Sequence, residues 1–305
     1  MPSDAWSLLV FTLLSQTSVG GYFVVEFLNS SYAKEFSCEN LNPLRFFSRL
    51  FVLSTAIIAG VSSIFHLKKW AHAYHAFNNL KTSWVGKEMM LFFLFLCCVV
   101  LLTFMSWRKI EAGFPQRFIS IAGVFCGTAL IFSMAKIYML PTVPVWNTWT
   151  TPSFFFTATV LLGSLAAASL YTAFLSSPKS SSLMENIRER WNRKTLPNIL
   201  KLVLISLVSG ILTTGFFVIR SIAIAEEYGA ETSIMSPDKQ ILFSFRIFFL
   251  VLGGILLLLY MKKSRHLDGF QKKSQNLVYR AFIFITLAEM VGRYLFYVSF
   301  YRIGL

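Results

Sequence analysis

The stretch Met89-Met-Leu-Phe-Phe-Leu-Phe-Leu-Cys-Cys-Val-Val-Leu-Leu-Thr-Phe-Met-Ser-Trp107 carries no charge over 19 residues. Crossing the hydrocarbon core of a bilayer takes ~20 mostly apolar residues in a helix, because lipid offers no partner to backbone groups left unpaired. Glu88 and Arg108 close the run at its two ends. Outward from it, seven more runs of the same kind occupy residues 6–28, 46–67, 118–138, 153–175, 199–223, 241–260 and 277–300. These predict an all-α polytopic membrane protein, a bundle of eight transmembrane helices forming one integral domain over residues 1–305. No Gly/Ser linker or internal repeat divides the chain. The start, Met-Pro-Ser-Asp, has no cation ahead of the first span, so no cleavable signal peptide is expected.

Composition agrees with the spans. The chain is 55% hydrophobic and 14% charged, against about 25% charged for a soluble domain. That excludes a soluble enzyme, a disordered protein and a secreted disulfide scaffold. The formal charge of +14 fits a membrane protein with basic loops better than a nucleic-acid partner, because most of the cations lie in the loops. The loops after spans one, three, five and seven hold 15 Lys/Arg, whereas the opposite loops and the two tails hold 6. By the positive-inside rule both termini face the outer, periplasmic side. Six of the seven tryptophans (Trp6, Trp70, Trp84, Trp107, Trp146 and Trp149) fall near span ends, where an aromatic belt would sit. Leu183, Ile187 and Trp191 recur at helical spacing in the loop after span five. They read either as a short helix lying on the inner leaflet or as an ordinary solvated basic loop.

Cys38, Cys97, Cys98 and Cys126 form no CxxC, and no two histidines stand at comparable depth on separate long helices. No metal site, no iron–sulfur cluster and no haem is therefore expected in this protein. Glu26, Arg49, Lys201 and Arg280 fall at inner span ends, from which their heads can snorkel to lipid headgroups.

The remaining ionisable groups near or within spans crowd the outer half: His66, Glu88, Lys136, Arg220, Arg246, Glu289 and Arg293. An intramembrane charge costs roughly 2.5–3.5 kcal/mol at a helix centre, so such groups normally face a cavity or one another. Glu289 and Arg293, four residues apart, share one helix face and are expected to pair. A polar pocket near the outer surface follows, roofed or merely bounded by the proline-stiffened connection Pro141 to Pro152. The loop from His66 to Glu88 lies outside yet carries Lys68, Lys69, Lys81 and Lys87, which breaks the charge rule and suggests a docking or ligand-attracting surface. A histidine that titrates near neutral pH beside a carboxylate suits proton-coupled chemistry on a lipid-soluble quinol. The cations Lys136, Arg220, Arg246 and Arg293 leave a transporter or channel for a small anion as the alternative.

The stretch His66-Leu-Lys-Lys-Trp-Ala-His-Ala-Tyr-His-Ala-Phe-Asn-Asn-Leu-Lys-Thr-Ser-Trp-Val-Gly-Lys-Glu88 resembles the segment joining spans two and three in the dimethyl sulfoxide reductase anchor-subunit family. There, members show His-Leu-Gly-x-Pro, then Ala, Asn and Ser-Trp-Leu-Ser followed by Arg or another residue and Glu. Residues 135–149 and 288–297 are similar to two further family segments, so the resemblance covers the whole chain. This sequence departs from the pattern with Lys68 for glycine, Trp70 for proline, and Gly86-Lys87 for Ser-Arg.

The resemblance implies a subunit of the bacterial inner (cytoplasmic) membrane that oxidises menaquinol to menaquinone without haem of its own. Its electrons would pass to an iron–sulfur partner subunit and then to a molybdenum-cofactor catalytic subunit, in anaerobic respiration. By position, His66 and Glu88 match the quinol-site histidine and glutamate. His72, Asn78, Ser83, Trp84, Tyr138, Glu289 and Arg293 would support that pocket, with Trp84 against the quinol ring or tail. Lys68, Lys69, Lys81 and Lys87 would dock the iron–sulfur partner. The expected partners are thus two protein subunits and membrane lipid, and no nucleic acid.

Overall fold

The computed structural model describes residues 5–36, 38–66, 80–110, 113–176, 182–228, 237–264 and 272–300. Among them there is no strand. Eight helices are long and apolar enough to cross a membrane: α1 (Ala5–Tyr32), α2 (Cys38–His66), α3 (Trp84–Trp107), α4 (Gly113–Tyr138), α5 (Thr150–Leu175), α7 (Leu196–Tyr228), α8 (Pro237–Ser264) and α9 (Lys272–Val298). A short helix, α6 (Ser182–Arg190), precedes α7.

Most helices begin several residues before the apolar runs, for local reasons. Ser83 sits in extended backbone ahead of Trp84 and accepts a hydrogen bond from the Gly86 N–H at 3.2 Å, which starts α3 five residues before its uncharged core. Pro237 opens α8 at a position where the missing N–H costs nothing. The helix runs on without a break from α6 into α7. Pro197 has no N–H to offer the preceding turn, and the segment just before it, Trp191–Thr195, widens into a single π-helical turn in which the Leu196 N–H meets the Trp191 carbonyl.

α1 and α5 form the buried centre of the bundle. They cross with backbones in contact: a Cβ on Gly20 would collide with the Thr159 carbonyl oxygen, and one on Gly163 with the Gly20 backbone. Without a hydrophobic drive between helices in lipid, such small-residue crossings supply close packing instead. Trp6 stacks on Tyr294 at 6.3 Å, so the start of α1 and the end of α9 lie at the same end of the bundle, here named the terminal end. The ends of α2 and α4 and the starts of α3, α5 and α8 belong to it too, since neighbouring spans alternate in direction.

At the opposite, distal end two expectations change. Glu26 and Arg49 do not snorkel outward. Arg49 Nε and Nη2 bind the two carboxylate oxygens of Glu26 at 2.7 and 2.8 Å, and Nη1 donates to Ser106 Oγ (2.8 Å) and the Leu102 carbonyl (3.2 Å). Both residues are buried between α1, α2 and α3, because a mutual fork of charge-assisted bonds satisfies them better than an isolated climb to the surface. Lys201 and Arg280 are exposed, as snorkelling requires.

The segment after α5 is a helix, yet Ile187 and Trp191 pack into the bundle rather than lie on a leaflet. Trp191 stacks on Tyr171 at 5.0 Å and donates to Thr172 Oγ1 at 3.2 Å. Arg190 pairs with Glu35 and lies over the Tyr32 ring. Burial of a fully enclosed indole outweighs the partial burial a membrane surface offers.

Candidate functional site

The terminal end holds a series of hydroxyls running between α4, α9 and α1. Tyr138, at the last turn of α4, donates to Tyr297 Oη at 3.3 Å. Tyr297 in turn meets Thr12 Oγ1 at 3.2 Å, and Thr12 donates to the Leu9 carbonyl at 3.0 Å. With Thr12 committed as a donor to Leu9, the hydrogens all point one way, from Tyr138 toward α1. The ring of Tyr138 is boxed by Trp146, Phe155 and Phe296 at 5.4–5.7 Å.

Arg293, one turn below Tyr297, is buried. Its Nη2 donates to Gln16 Oε1 at 2.9 Å, and its Cζ lies 4.0 Å from the Phe155 ring centroid. Gln16 passes the constraint on through its Nε2, which donates to the Phe155 carbonyl at 3.3 Å. The expected Glu289–Arg293 pair does not form. Glu289 faces Arg246 of α8, with Nη2 to Oε1 at 3.9 Å. One helix face can present both side chains, but α1 and α8 stand on different sides of α9 and draw them apart.

Glu88, in the second turn of α3, lies within electrostatic range of both Tyr138 and Tyr297. Trp84, one turn earlier, meets Phe132 edge-on at 6.1 Å and carries the Lys87 ammonium over its ring at 4.1 Å. Ser83 is the cap of α3, so its hydroxyl is committed to the backbone. Lys81 is exposed in the preceding turn. α2 ends at His66, at the same end of the bundle, although the side chain of His66 lies outside the described residues, as do Lys68, Lys69, His72 and Asn78. No cluster of three or more His, Cys, Asp or Glu suited to a metal ion occurs among the described residues.

The connection from α4 to α5 is tied into this end. Val143, Val145 and Trp146 are buried. Trp146 Nε1 donates to the Phe296 carbonyl (3.1 Å) and to Ser299 Oγ (3.0 Å), and its ring stacks on Phe296 at 5.1 Å.

A family model described as "DMSO reductase anchor subunit (DmsC)" matches residues 2–298 of the protein. The protein belongs to that family. Three curated relatives run nearly end to end with it. The YnfH subunit of an anaerobic dimethyl sulfoxide reductase in Escherichia coli K12 is 25% identical over 98% of this sequence and 96% of its own. The C subunit of the anaerobic dimethyl sulfoxide reductase of Haemophilus influenzae is 23% identical, covering 95% of this sequence and 92% of the relative. The corresponding C subunit of E. coli K12 is 23% identical over 98% and 96%.

For this anchor subunit, sequence reasoning places Tyr138, Glu289 and Arg293 in the pocket but misses Thr12, Gln16 and Tyr297. A signal for the α1 pair is present. Ser15-Gln-Thr-Ser18 puts four consecutive polar residues inside the first span, and hydrocarbon does not tolerate an amide side chain without a partner.

Proposed function

We propose that this anchor subunit oxidises menaquinol at the terminal end of the bundle, in the bacterial inner membrane, with that end facing outward. The observation that carries the reading is the position of Glu88. A carboxylate on α3 stands within electrostatic range of the Tyr138–Tyr297 hydroxyl pair, at the end where α2 delivers His66.

Quinol oxidation releases two electrons and two protons, and each hydroxyl needs an acceptor as electrons depart. His66 and Glu88 take those protons, each from one hydroxyl, and release them to the outer water. The electrons cross to an iron–sulfur subunit docked against Lys68, Lys69, Lys81 and Lys87, and from there to a molybdenum-cofactor catalytic subunit. Arg293, fixed by Gln16 and Phe155, supplies a permanent positive charge at this end of the bundle. Tyr138 and Tyr297 hold the rim of the pocket with fixed dipoles, and Trp84 offers a flat apolar wall to the ring or its tail.

An anion path through the bundle has less support. Arg49, buried in the distal half, is already neutralised by Glu26.

The test is a comparison of wild type, Glu88→Gln and His66→Ala in membranes carrying the intact assembly. Menaquinol-analogue oxidation should fall about 10²-fold in each variant, the size expected for loss of a general base. Turnover driven by an artificial reductant that bypasses the quinol should stay unchanged. A Glu88→Gln variant oxidising quinol at the wild-type rate would sink the proposal.

A further inference from the structure

A narrow cleft of about 40 Å³ lies between α5, α7, α8 and α9. Glu88 and Tyr138 take no part in its lining. Phe154, Phe217, Phe243 and Phe296 form its walls, and Thr214, Lys239 and Arg246 join them.

Arg246 is the informative residue. It is only 5% exposed, within a membrane-spanning helix, and it lies across Gly292, where a Cβ would fall 2.5 Å from Nε. Among the described residues its Nε has no hydrogen-bond partner, and its approach to Glu289 at 3.9 Å is longer than a hydrogen bond. The face of Phe154, at 5.4 Å, is a weak substitute. The distal Arg49, by contrast, uses all three of its nitrogens. An arginine left with a free donor at this depth is costly unless an acceptor arrives from outside the protein.

Charge and depth narrow that acceptor. Among the described lining residues, Lys239, Arg246 and Arg293 stand against one carboxylate, Glu289, a positive excess. Lys239 lies in the first turn of α8, and Arg246 follows seven residues later, about 10 Å deeper at ~1.5 Å per residue. The occupant must therefore be anionic and offer further acceptors below its charge. A phospholipid with a net negative headgroup does both, with its phosphate at Lys239 and its ester carbonyls descending toward Arg246. A quinone is neutral and bears its two carbonyls on one ring. Phe216 and Ile219 of α7 and Phe245 and Phe248 of α8, close in sequence to the lining residues, are exposed and offer a track for acyl tails.

We propose that this cleft is a binding site for one anionic phospholipid, separate from the quinol chemistry at Glu88. The intact assembly in neutral detergent, supplied with dioleoylphosphatidylglycerol or dioleoylphosphatidylcholine and weighed by native mass spectrometry, tests it. Wild type should retain one phosphatidylglycerol about tenfold more tightly than phosphatidylcholine, and both Lys239→Gln and Arg246→Gln should erase that preference. Lys239, at the partly exposed start of α8, keeps the test alive if Arg246→Gln fails to fold. Equal retention of the two lipids, a preference untouched by Lys239→Gln, or a menaquinone held in place of lipid would overturn it. Quinol oxidation measured on the same samples separates this result from the fate of the Glu88 proposal.

Discussion

The bundle buries arginine at both ends, and Arg49 and Arg246 are treated oppositely. At the distal end Arg49 is nearly saturated: two bonds to Glu26, one to Ser106 and one to a carbonyl use four of its five donors. At the terminal end Arg246 reaches its carboxylate at 3.9 Å with Nε unbonded, and Arg293 is held by a neutral amide and an aromatic face. The closed arrangement spends its interactions on holding α1, α2 and α3 together. The open one leaves field and donors directed at whatever enters. Burial alone does not separate Arg49 from Arg246, since both are buried, and Arg45, buried four residues before Arg49 on α2, also leaves its Nε without a partner among the described residues.

The contrast can be broken by substitution, and the largest effect belongs to the closed end. Arg49→Ala leaves Glu26 buried without its partner and should cost about 3–5 kcal/mol. Measured as thermal unfolding in detergent and as protein retained in membranes, that loss should be partly restored by adding Glu26→Ala. If the double variant is no better than the single, the two residues are not an energetic pair.

Next comes Arg293→Lys, which keeps the charge but loses the planar stacking on Phe155 and the directed bond to Gln16. Affinity for a fluorescent quinol-site inhibitor should drop about tenfold, equivalent to ~1.4 kcal/mol, while thermal stability changes far less than for Arg49→Ala. A large stability loss with unchanged inhibitor binding would place Arg293 on the structural side of the comparison.

Tyr297→Phe removes the middle of the hydroxyl series at a cost of about 1 kcal/mol. The expected readout is a quinol oxidation rate several-fold lower, with the inhibitor still bound. The smallest effect is assigned to Lys201→Gln. This residue is exposed on α7, and its replacement should stay within about 0.5 kcal/mol in stability and leave turnover alone. A Lys201→Gln effect as large as that of Tyr297→Phe would show that charge removal as such perturbs the bundle.

Much of the fold is legible in the amino-acid order alone. The uncharged run at 89–107 lies wholly within α3, and each of the other seven runs coincides with a helix to within a few residues at most ends. Ser83 and Pro237 account for two of the early starts, though both stand outside the apolar runs and are easy to discount. Of the candidate site, Glu289 and Arg293 are legible because charges stand out against hydrocarbon, and Tyr138 is named only through the family resemblance. Thr12 is not, since a single hydroxyl in a span is common enough to pass unnoticed, and Gln16 is marked only by the polar run Ser15–Ser18 around it. The partners of Glu26 and Glu289 are misread for one reason in both cases: neighbours along one helix are visible in the sequence, and neighbours across a helix contact are not.

What the sequence by itself determined is the number of spans, their lengths and the side on which like charges gather. Those follow from bilayer thickness and from the cost of moving a charge through hydrocarbon, both of which act on each segment separately. The tertiary structure decided which faces the helices turn toward one another. The close crossing at Gly20 and Gly163 sets how α1 meets α5, and from that follow Arg293 on Gln16, Arg246 across Gly292, and Arg49 locked to Glu26. Such pairings depend on rotations about eight helix axes at once, and no single segment carries that information.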